Sequence, residues 1–405
     1  MSYQSYTLPN GIRLLHVHDT SPIVYCGFAV NVGTRDEHDD EQGMAHFVEH
    51  MLFKGTDSRK SYQIINRLES VGGQLEAYTT REETFIYATV PTHYCGRAME
   101  LLGDLVFHAT FPAREMEREL DVVLDEIQSY NDSPSELIYD DFDELLFAGS
   151  PLGRNILGKS EVLETFTPEK MAAFVKRCYT TDNLVFFTMG QCSFKQIVHH
   201  AERYFNVPAS MRSFERTWPL NYTPTSLKTA KDTFQTHCLI GNRSYALGHP
   251  DRIALVLLNN ILGGPNMSSR LNMSIRERNG LAYDIESNLT AYTDTGSWSV
   301  YVGCDPKYSK RCINLINKEL DRLRMRPLDA RNLHTARRQL EGQLLIANEN
   351  KENLILSMAK SYLHLNRCMS NDEITTAIAA ISAQKMQQIA NEVFAPDQLT
   401  QLIFY

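Results

Sequence analysis

Two kinds of hydrophobic pattern alternate along this chain, and they come in the same order twice. In each half, a β-rich stretch (residues 23–33 and 236–245) precedes a segment of helical apolar spacing that ends at glycine (44–55 and 253–264). A second helix, a β-rich run and a long amphipathic helix follow in both halves. Matching order at an offset of about 210 residues indicates a duplicated α+β unit.

The length of the chain fits two domains. Its 405 residues exceed what one hydrophobic core usually organises. Residues 209–230 lack sustained periodicity and contain prolines and several Ser/Thr, so they are expected to be the interdomain linker. The prediction is therefore an amino-terminal domain over residues 1–208 and a homologous carboxy-terminal domain over residues 231–405.

Composition and charge exclude several classes of partner. Hydrophobic residues make up 43% of the chain, and no apolar run approaches the length of a membrane-spanning helix. A formal net charge of −9 leaves no basic footprint for nucleic acid and disfavours anionic lipid, so neither nucleic acid nor membrane is expected. The eight cysteines are scattered without a C-x-x-C pair, and the start reads as strand and turn rather than a secretion signal. We therefore expect a cytoplasmic protein with reduced thiols.

The first glycine-terminated helix carries the candidate chemistry. Apolar residues repeat at helical spacing from Met44 to Leu52, with Asp39 or Asp40 expected as the N-cap. His46, Glu49 and His50 stand at i, i+3 and i+4 and so share one face. Two imidazoles one turn apart can hold one zinc ion, and a carboxylate beside them can take a proton from water. The same string also arises by chance among surface residues, so it does not decide the function alone.

A zinc hydrolase site needs a third protein ligand and keeps an open position for water. The stretch PAREMERELDVVLDEIQSY has helical apolar spacing, and Glu115, Glu119 and Glu126 border its apolar stripe. Glu119 and Glu126 are two helical turns apart and project the same way. Acidic residues along a helix are usually a solvated face, and the composition alone does not choose among the three.

The segment GMAHFVEHMLFKGT resembles the signature of the pitrilysin family, the inverzincins, whose zinc motif reads H-x-x-E-H. The resemblance covers nearly the whole chain and is closest to short bacterial members similar to mitochondrial processing peptidase subunits. It implies two homologous domains, each a mostly antiparallel β-sheet packed against α-helices. It also implies a zinc-dependent metalloendopeptidase with one zinc ion per chain, held by His46, His50 and Glu126. Glu49 would be the general base, and Glu119 would orient the ligands.

The same resemblance implies substrate contacts in both halves. Arg276 and Tyr283 match a family pair that is presented to the substrate and can stabilise an oxyanion. In a two-domain chain this pair is expected to act in trans, in a homodimer. Glu76 and Ala77 fall in the segment that resembles the family's substrate-pairing edge strand. Glu76 replaces the usual asparagine, which favours basic side chains in the peptide or leaves an exposed strand residue.

Two other functions stay open at this point. Some relatives keep the fold and lose the chemistry, which would make this chain a non-catalytic scaffold. A catalytic subunit that needs a separate partner chain is the third possibility. The peptide substrate is not identified by the sequence, and the ligand set would also accept cobalt or manganese.

Overall fold

The computed structural model describes residues 2–213, 215–218 and 221–405. The chain divides into two compact units, each assembled from three separate segments. Unit 1 contains residues 1–127, 154–216 and 347–370, and unit 2 contains residues 128–153, 217–346 and 371–405. The expected linker, 209–230, includes three residues outside the described part, Phe214, Pro219 and Leu220, and its end forms a strand.

Groups of strands and groups of helices follow one another along the described chain, as expected for an α+β protein. The strands are β1 (Gln4–Thr7), β2 (Arg13–His18), β3 (Ile23–Val30), β4 (Gln74–Thr79), β5 (Thr84–Pro91), β6 (Leu184–Gly190), β7 (Ser226–Thr229), β8 (Thr236–Ser244), β9 (Ala282–Ala291), β10 (Gly296–Cys304) and β11 (Thr400–Phe404).

The helices include both of the segments to which the sequence analysis assigned metal ligands. They are α1 (Met44–Leu52), α2 (Ser61–Glu69), α3 (Cys95–His108), α4 (Ala113–Asn131), α5 (Pro134–Leu146), α6 (Ser160–Leu163), α7 (Pro168–Cys178), α8 (Phe194–Tyr204), α9 (Arg252–Gly263), α10 (Ser309–Met325), α11 (Ala330–Ala347), α12 (Lys351–Leu365), α13 (Asn371–Ala380) and α14 (Ala383–Val393). A π-helical segment, Asn272–Glu277, precedes β9. Within the described residues, none of these helices combines the length and the apolar character that a membrane crossing requires.

The strand order confirms the predicted duplication. The sheet of unit 1 has the order β1-β2-β6-β3-β5-β4, and the sheet of unit 2 has the order β7-β11-β8-β10-β9. Apart from β1, each strand of the first sheet has a counterpart at the same place in the second sheet. The pairs β2·β6 and β7·β11 are parallel and the other pairs are antiparallel. Each sheet is thus mostly antiparallel, as the resemblance implied, and β4 and β9 are the equivalent edge strands.

Helices cover both faces of each sheet, because the inward positions on both faces are apolar. In unit 1, Phe28, Ile86 and Phe186 lie in the core on the side of α1 and α3. On the opposite face, Val17 and Phe187 pack against α12, which comes from the far end of the chain. Unit 2 has the reciprocal arrangement, in which α5, from the first half of the chain, covers one face of its sheet.

The start of α1 differs from the expectation. Asp39 and Asp40 belong to a separate 3₁₀ turn, and α1 begins after Gly43, whose φ is +95°. The carboxylate of Glu37 accepts hydrogen bonds from the backbone N–H groups of Gly43 (3.0 Å) and Ala45 (2.9 Å). The expected aspartate N-cap was therefore wrong, because a buried carboxylate from outside the helix satisfies its first donors.

Candidate metal centre

Three side chains of unit 1 bring their ligand atoms to one point. The Nε2 atoms of His46 and His50, on α1, lie 3.2 Å apart. Glu126 Oε2, on α4, lies 3.8 Å from His46 Nε2 and 3.7 Å from His50 Nε2. Bond lengths near 2.1 Å to a tetrahedral ion place its ligand atoms about 3.4 Å apart. The triangle therefore has the size for one small divalent cation.

Glu119 fixes the orientation of the His50 ring through the ring nitrogen that faces away from the triangle. His50 Nδ1 lies 2.9 Å from Glu119 Oε1, and the other Glu119 oxygen lies 2.5 Å from Lys54 Nζ. A carboxylate only accepts, so Nδ1 of His50 carries the proton and Nε2 offers its lone pair. Lys54 compensates the charge of Glu119, which is buried.

His46 is held neutral by its surroundings. Only 8% of the residue is exposed, and burial, followed by the neighbouring His50, lowers the pKa of His46 to about 4. Its Nδ1 is buried without a hydrogen-bond partner among the described residues. A neutral imidazole is the form that binds metal. The side chain of Glu126 is 44% exposed, so the triangle is open to solvent on that side.

Glu49 lies on the same helix face, one turn from His46. It is buried, and burial raises the pKa of its carboxyl above the ordinary value, although the hydrogen bond from Thr79 opposes this effect. The Thr79 hydroxyl, at the end of β4, donates to Glu49 Oε2 over 2.6 Å. A carboxylate with a raised pKa is a stronger base and is suited to accept a proton from water.

The edge strand β4 carries the other two residues predicted for substrate binding in this unit. Among the described strands, β4 pairs with β5 alone, and Ala77 lies opposite Ile86. Glu76 is exposed, and its carboxylate lies 2.6 Å from the hydroxyl of Tyr87. That hydroxyl is also 2.9 Å from Glu352 Oε1, so two carboxylates face one donor.

Unit 2 brings Arg276 and Tyr283 together. The Arg276 guanidinium lies 4.4 Å from the centre of the Tyr283 ring, which is a cation–π distance. The two residues line a cavity of about 410 Å³, together with Asn259, Asn260 and Met267 among others. Tyr283 is 80% exposed, so its hydroxyl is accessible.

The sequence is similar to known peptidases along nearly its whole length. Residues 13–160 match the model of the insulinase family, peptidase family M16, and residues 165–340 match the model described as the peptidase M16 inactive domain. An uncharacterized zinc protease of Bacillus subtilis is 30% identical over 399 residues, covering 98% of this chain and 97% of that protein. An uncharacterized zinc protease of Rickettsia felis is 31% identical, covering 90% and 88%.

The chain belongs to peptidase family M16. Two solved structures share this M16 fold along the entire chain. A protease from Helicobacter pylori has a TM-score of 0.92 at 19% identity and covers 100% of this chain and 99% of its own. A structure from Pseudomonas fluorescens, titled as a peptidase M16 inactive domain, has a TM-score of 0.93 at 17% identity and covers 100% and 98%. The resemblance stated from the H-x-x-E-H segment is thereby confirmed at the level of the family.

A second acidic group in this M16 chain has the wrong surroundings for a metal. Glu82, Glu83 and His364 bring ligand atoms within 4.8 Å of one another. Glu82 is 2.7 Å from an Arg35 nitrogen, and Glu83 is 3.0 Å from Lys360 Nζ and 2.6 Å from His364 Nε2. Because cations already compensate both carboxylates, this cluster is an internal ion network.

Sequence reasoning missed three residues that support the centre: Glu37, Lys54 and Thr79. Lys54 follows His50 by four positions, which is a helical spacing that could have indicated a shared partner. Glu37 and Thr79 gave no such signal, because each reaches α1 from another element.

Proposed function

We propose that this M16 protein is a zinc-dependent endopeptidase that hydrolyses oligopeptides or unfolded segments. The observation that carries the proposal is the triangle of His46, His50 and Glu126 with the buried Glu49 on the same helix face. The names of the relatives as zinc proteases support zinc as the ion, and one ion per chain is part of the proposal. Bound there, zinc would polarise the scissile carbonyl and make water more acidic.

The residues of the chain divide the remaining tasks. His46, His50 and Glu126 hold the ion, and Glu119 keeps the lone pair of His50 directed toward it. Glu49 accepts a proton from the attacking water and transfers it to the leaving amine.

The division of the chain into functional parts belongs to the same proposal. The amino-terminal part, 1–208, carries the metal and the edge strand with Glu76 and Ala77, and the carboxy-terminal part, 231–405, contributes Arg276 and Tyr283. Residues 13–160, with the metal ligands, and residues 165–340, with Arg276 and Tyr283, match two different models of the family, which supports separate roles for the two parts. The buried, unbridged cysteines support a reducing, cytoplasmic location.

The decisive experiment compares the wild type with Glu49→Gln. Metal content and cleavage of a quenched-peptide library are measured on both proteins, with Glu117→Gln, an exposed change on α4, as the matched control. We expect Glu49→Gln to keep its metal and to lose cleavage by at least about 100-fold, which is the usual contribution of a general base. Equal cleavage by both proteins would remove Glu49 from this role, and no cleavage by the metal-loaded wild type would favour the scaffold alternative.

A homodimer in which Arg276 and Tyr283 act in trans is part of the proposal. Tyr283 is exposed and its ring contacts Arg276, so the two side chains form one accessible surface. This accessibility supports contact with a peptide that is bound to a partner chain. An inactive His46→Ala chain mixed with an inactive Arg276→Ala chain should recover partial cleavage. Failure to recover it in mixed dimers, verified by two affinity tags, would contradict action in trans without affecting the Glu49 test.

A further inference from the structure

A single hydroxyl connects the edge strand of unit 1 to the carboxylate of Glu49. Thr79 is the last residue of β4 and lies opposite Thr84 on β5. Its Oγ1 donates to Glu49 Oε2 over 2.6 Å, which is the usual length of a hydroxyl–carboxylate bond. Among the described residues, Glu49 has no other hydrogen-bond partner. The link therefore fixes one carboxylate oxygen and leaves the other, Oε1, available.

The orientation of Glu49 depends on this contact. The terminal torsion of a glutamate is broad, so packing alone leaves the carboxylate plane weakly defined. A general base must present one oxygen to its proton within a few tenths of an ångström. Because Glu49 is buried, no bulk water replaces the Thr79 hydroxyl easily.

Unit 2 offers an internal comparison. There the hydroxyl of Ser287, on edge strand β9, donates to Asn259 Oδ1 on α9 over 2.5 Å. Asn259 is additionally fixed through its amide nitrogen, which donates to the Ser287 carbonyl (2.9 Å), and by the Trp298 indole N–H (3.1 Å). Ser287 lies in the middle of β9 and Thr79 at the end of β4, so the two units share the kind of contact but not its position. In unit 1 the acceptor is a carboxylate, and Thr79 is its one hydrogen-bond donor in the part of the chain that the structure describes.

We propose that Thr79 is a positioning residue that orients Glu49 for proton transfer and ties that orientation to the edge strand. The inference rests on the proposed function and names how its base is aligned. β4 is the strand proposed to pair with the peptide. A peptide that fixes β4 therefore also fixes the Glu49 carboxylate through Thr79.

The test uses the full-length, metal-loaded protein and three variants. Thr79→Val removes the hydroxyl at nearly constant shape, and Thr79→Ser restores it. Thr84→Val is the matched control, because it removes the cross-strand hydroxyl, which donates to the Val32 carbonyl instead of to Glu49. For each protein, kcat, KM, metal content and the melting temperature are measured with one quenched peptide.

We expect Thr79→Val to lower kcat by about 10- to 100-fold, the range for losing a hydrogen bond to a charged group. KM should change by less than about threefold, metal content should stay the same, and Thr79→Ser should recover most of kcat. Thr84→Val should keep kcat within about twofold even if its melting temperature falls. In the Glu49→Gln background, Thr79→Val should have no further effect on kcat, because the hydroxyl acts through Glu49.

Three results would overturn the inference. The first is an unchanged kcat in Thr79→Val, and the second is no recovery of kcat in Thr79→Ser. The third is a loss of kcat in Thr79→Val that is accompanied by an equal loss of metal, or that Thr84→Val shows to the same extent. If the metal-loaded wild type cleaves no peptide, the proposed function fails, and if the wild type and Glu49→Gln cleave equally, the role of Glu49 fails. If they differ as expected and Thr79→Val is normal, only the role of Thr79 fails.

Discussion

Replacing Glu83 with glutamine should destabilise unit 1 strongly. Glu83 closes the turn between β4 and β5 and is 1% exposed. Its carboxylate contacts Lys360 and His364 on α12 and accepts from the Thr80 hydroxyl over 2.6 Å. The variant keeps the shape of the side chain and removes its charge, so Lys360 loses its counterion and His364 loses a carboxylate partner.

The pKa of Glu83 gives the size of the effect. The hydrogen bond from His364 and the charge of Lys360 outweigh burial and lower this pKa to about 2. An unfolded chain has a glutamate pKa of about 4.3, and the difference corresponds to on the order of 3 kcal/mol. Because the folded pKa is the lower one, this stabilisation is fully present above about pH 4.3. It is lost as the pH falls toward 2.

Urea denaturation at pH 7, 5 and 3 measures the free energy of unfolding of the wild type and Glu83→Gln. Hydrogen exchange of β4 and β5 shows whether the loss lies in unit 1, since a two-unit chain need not unfold in one step. Glu115→Gln is the control, because its pair with Arg118 is exposed and should contribute less than about 0.5 kcal/mol. The reasoning is refuted if Glu83→Gln resembles Glu115→Gln at pH 7, or if its deficit does not shrink on acidification.

Two further predictions concern the metal centre and the second sheet. Glu119→Gln should weaken zinc binding by about 10- to 100-fold in a chelator competition, whereas Glu117→Gln on the exposed side of α4 should leave it unchanged. Equal zinc affinities of the two variants would contradict the role of Glu119. Gly241→Ala should lower the free energy of unfolding of unit 2 by about 1–3 kcal/mol, because an added Cβ would lie 2.1 Å from the Trp298 carbonyl oxygen. Gly342 lies in α11, and a Cβ added there would have no described atom within 4 Å, so Gly342→Ala should not lower the free energy of unfolding. An equal loss of stability in both variants would refute the steric argument.

The sequence predicted the features that depend on local spacing. One helical period places His46, Glu49 and His50 on one face, and the structure shows that face. The assignment of Glu126 required a family resemblance, because three glutamates border the same stripe of α4 and spacing does not rank them. Thr79 was not predictable, since its partner is known only when β4 is placed against α1.

Pairing between distant segments limited the prediction elsewhere. The predicted N-cap of α1 was wrong because Glu37, which lies outside the helix, accepts the hydrogen bonds of its first backbone N–H groups. The apolar stripe of α12 predicts that this helix packs on something, but the stripe carries no information on which sheet it covers. The assignment of residues 347–370 to unit 1 therefore came from the structure.

The position of α12 has a consequence for biosynthesis. The face of the first sheet that contains Val17 and Phe187 has its cover only after the ribosome has made residues 351–365. Until then the nascent chain exposes an apolar surface, which is a target for chaperones and a risk for aggregation. A gene fragment that stops at residue 216 would make this condition permanent. Expression of the metal-binding half alone should therefore yield insoluble protein, whereas co-expression with a fragment that supplies α12 should rescue its solubility.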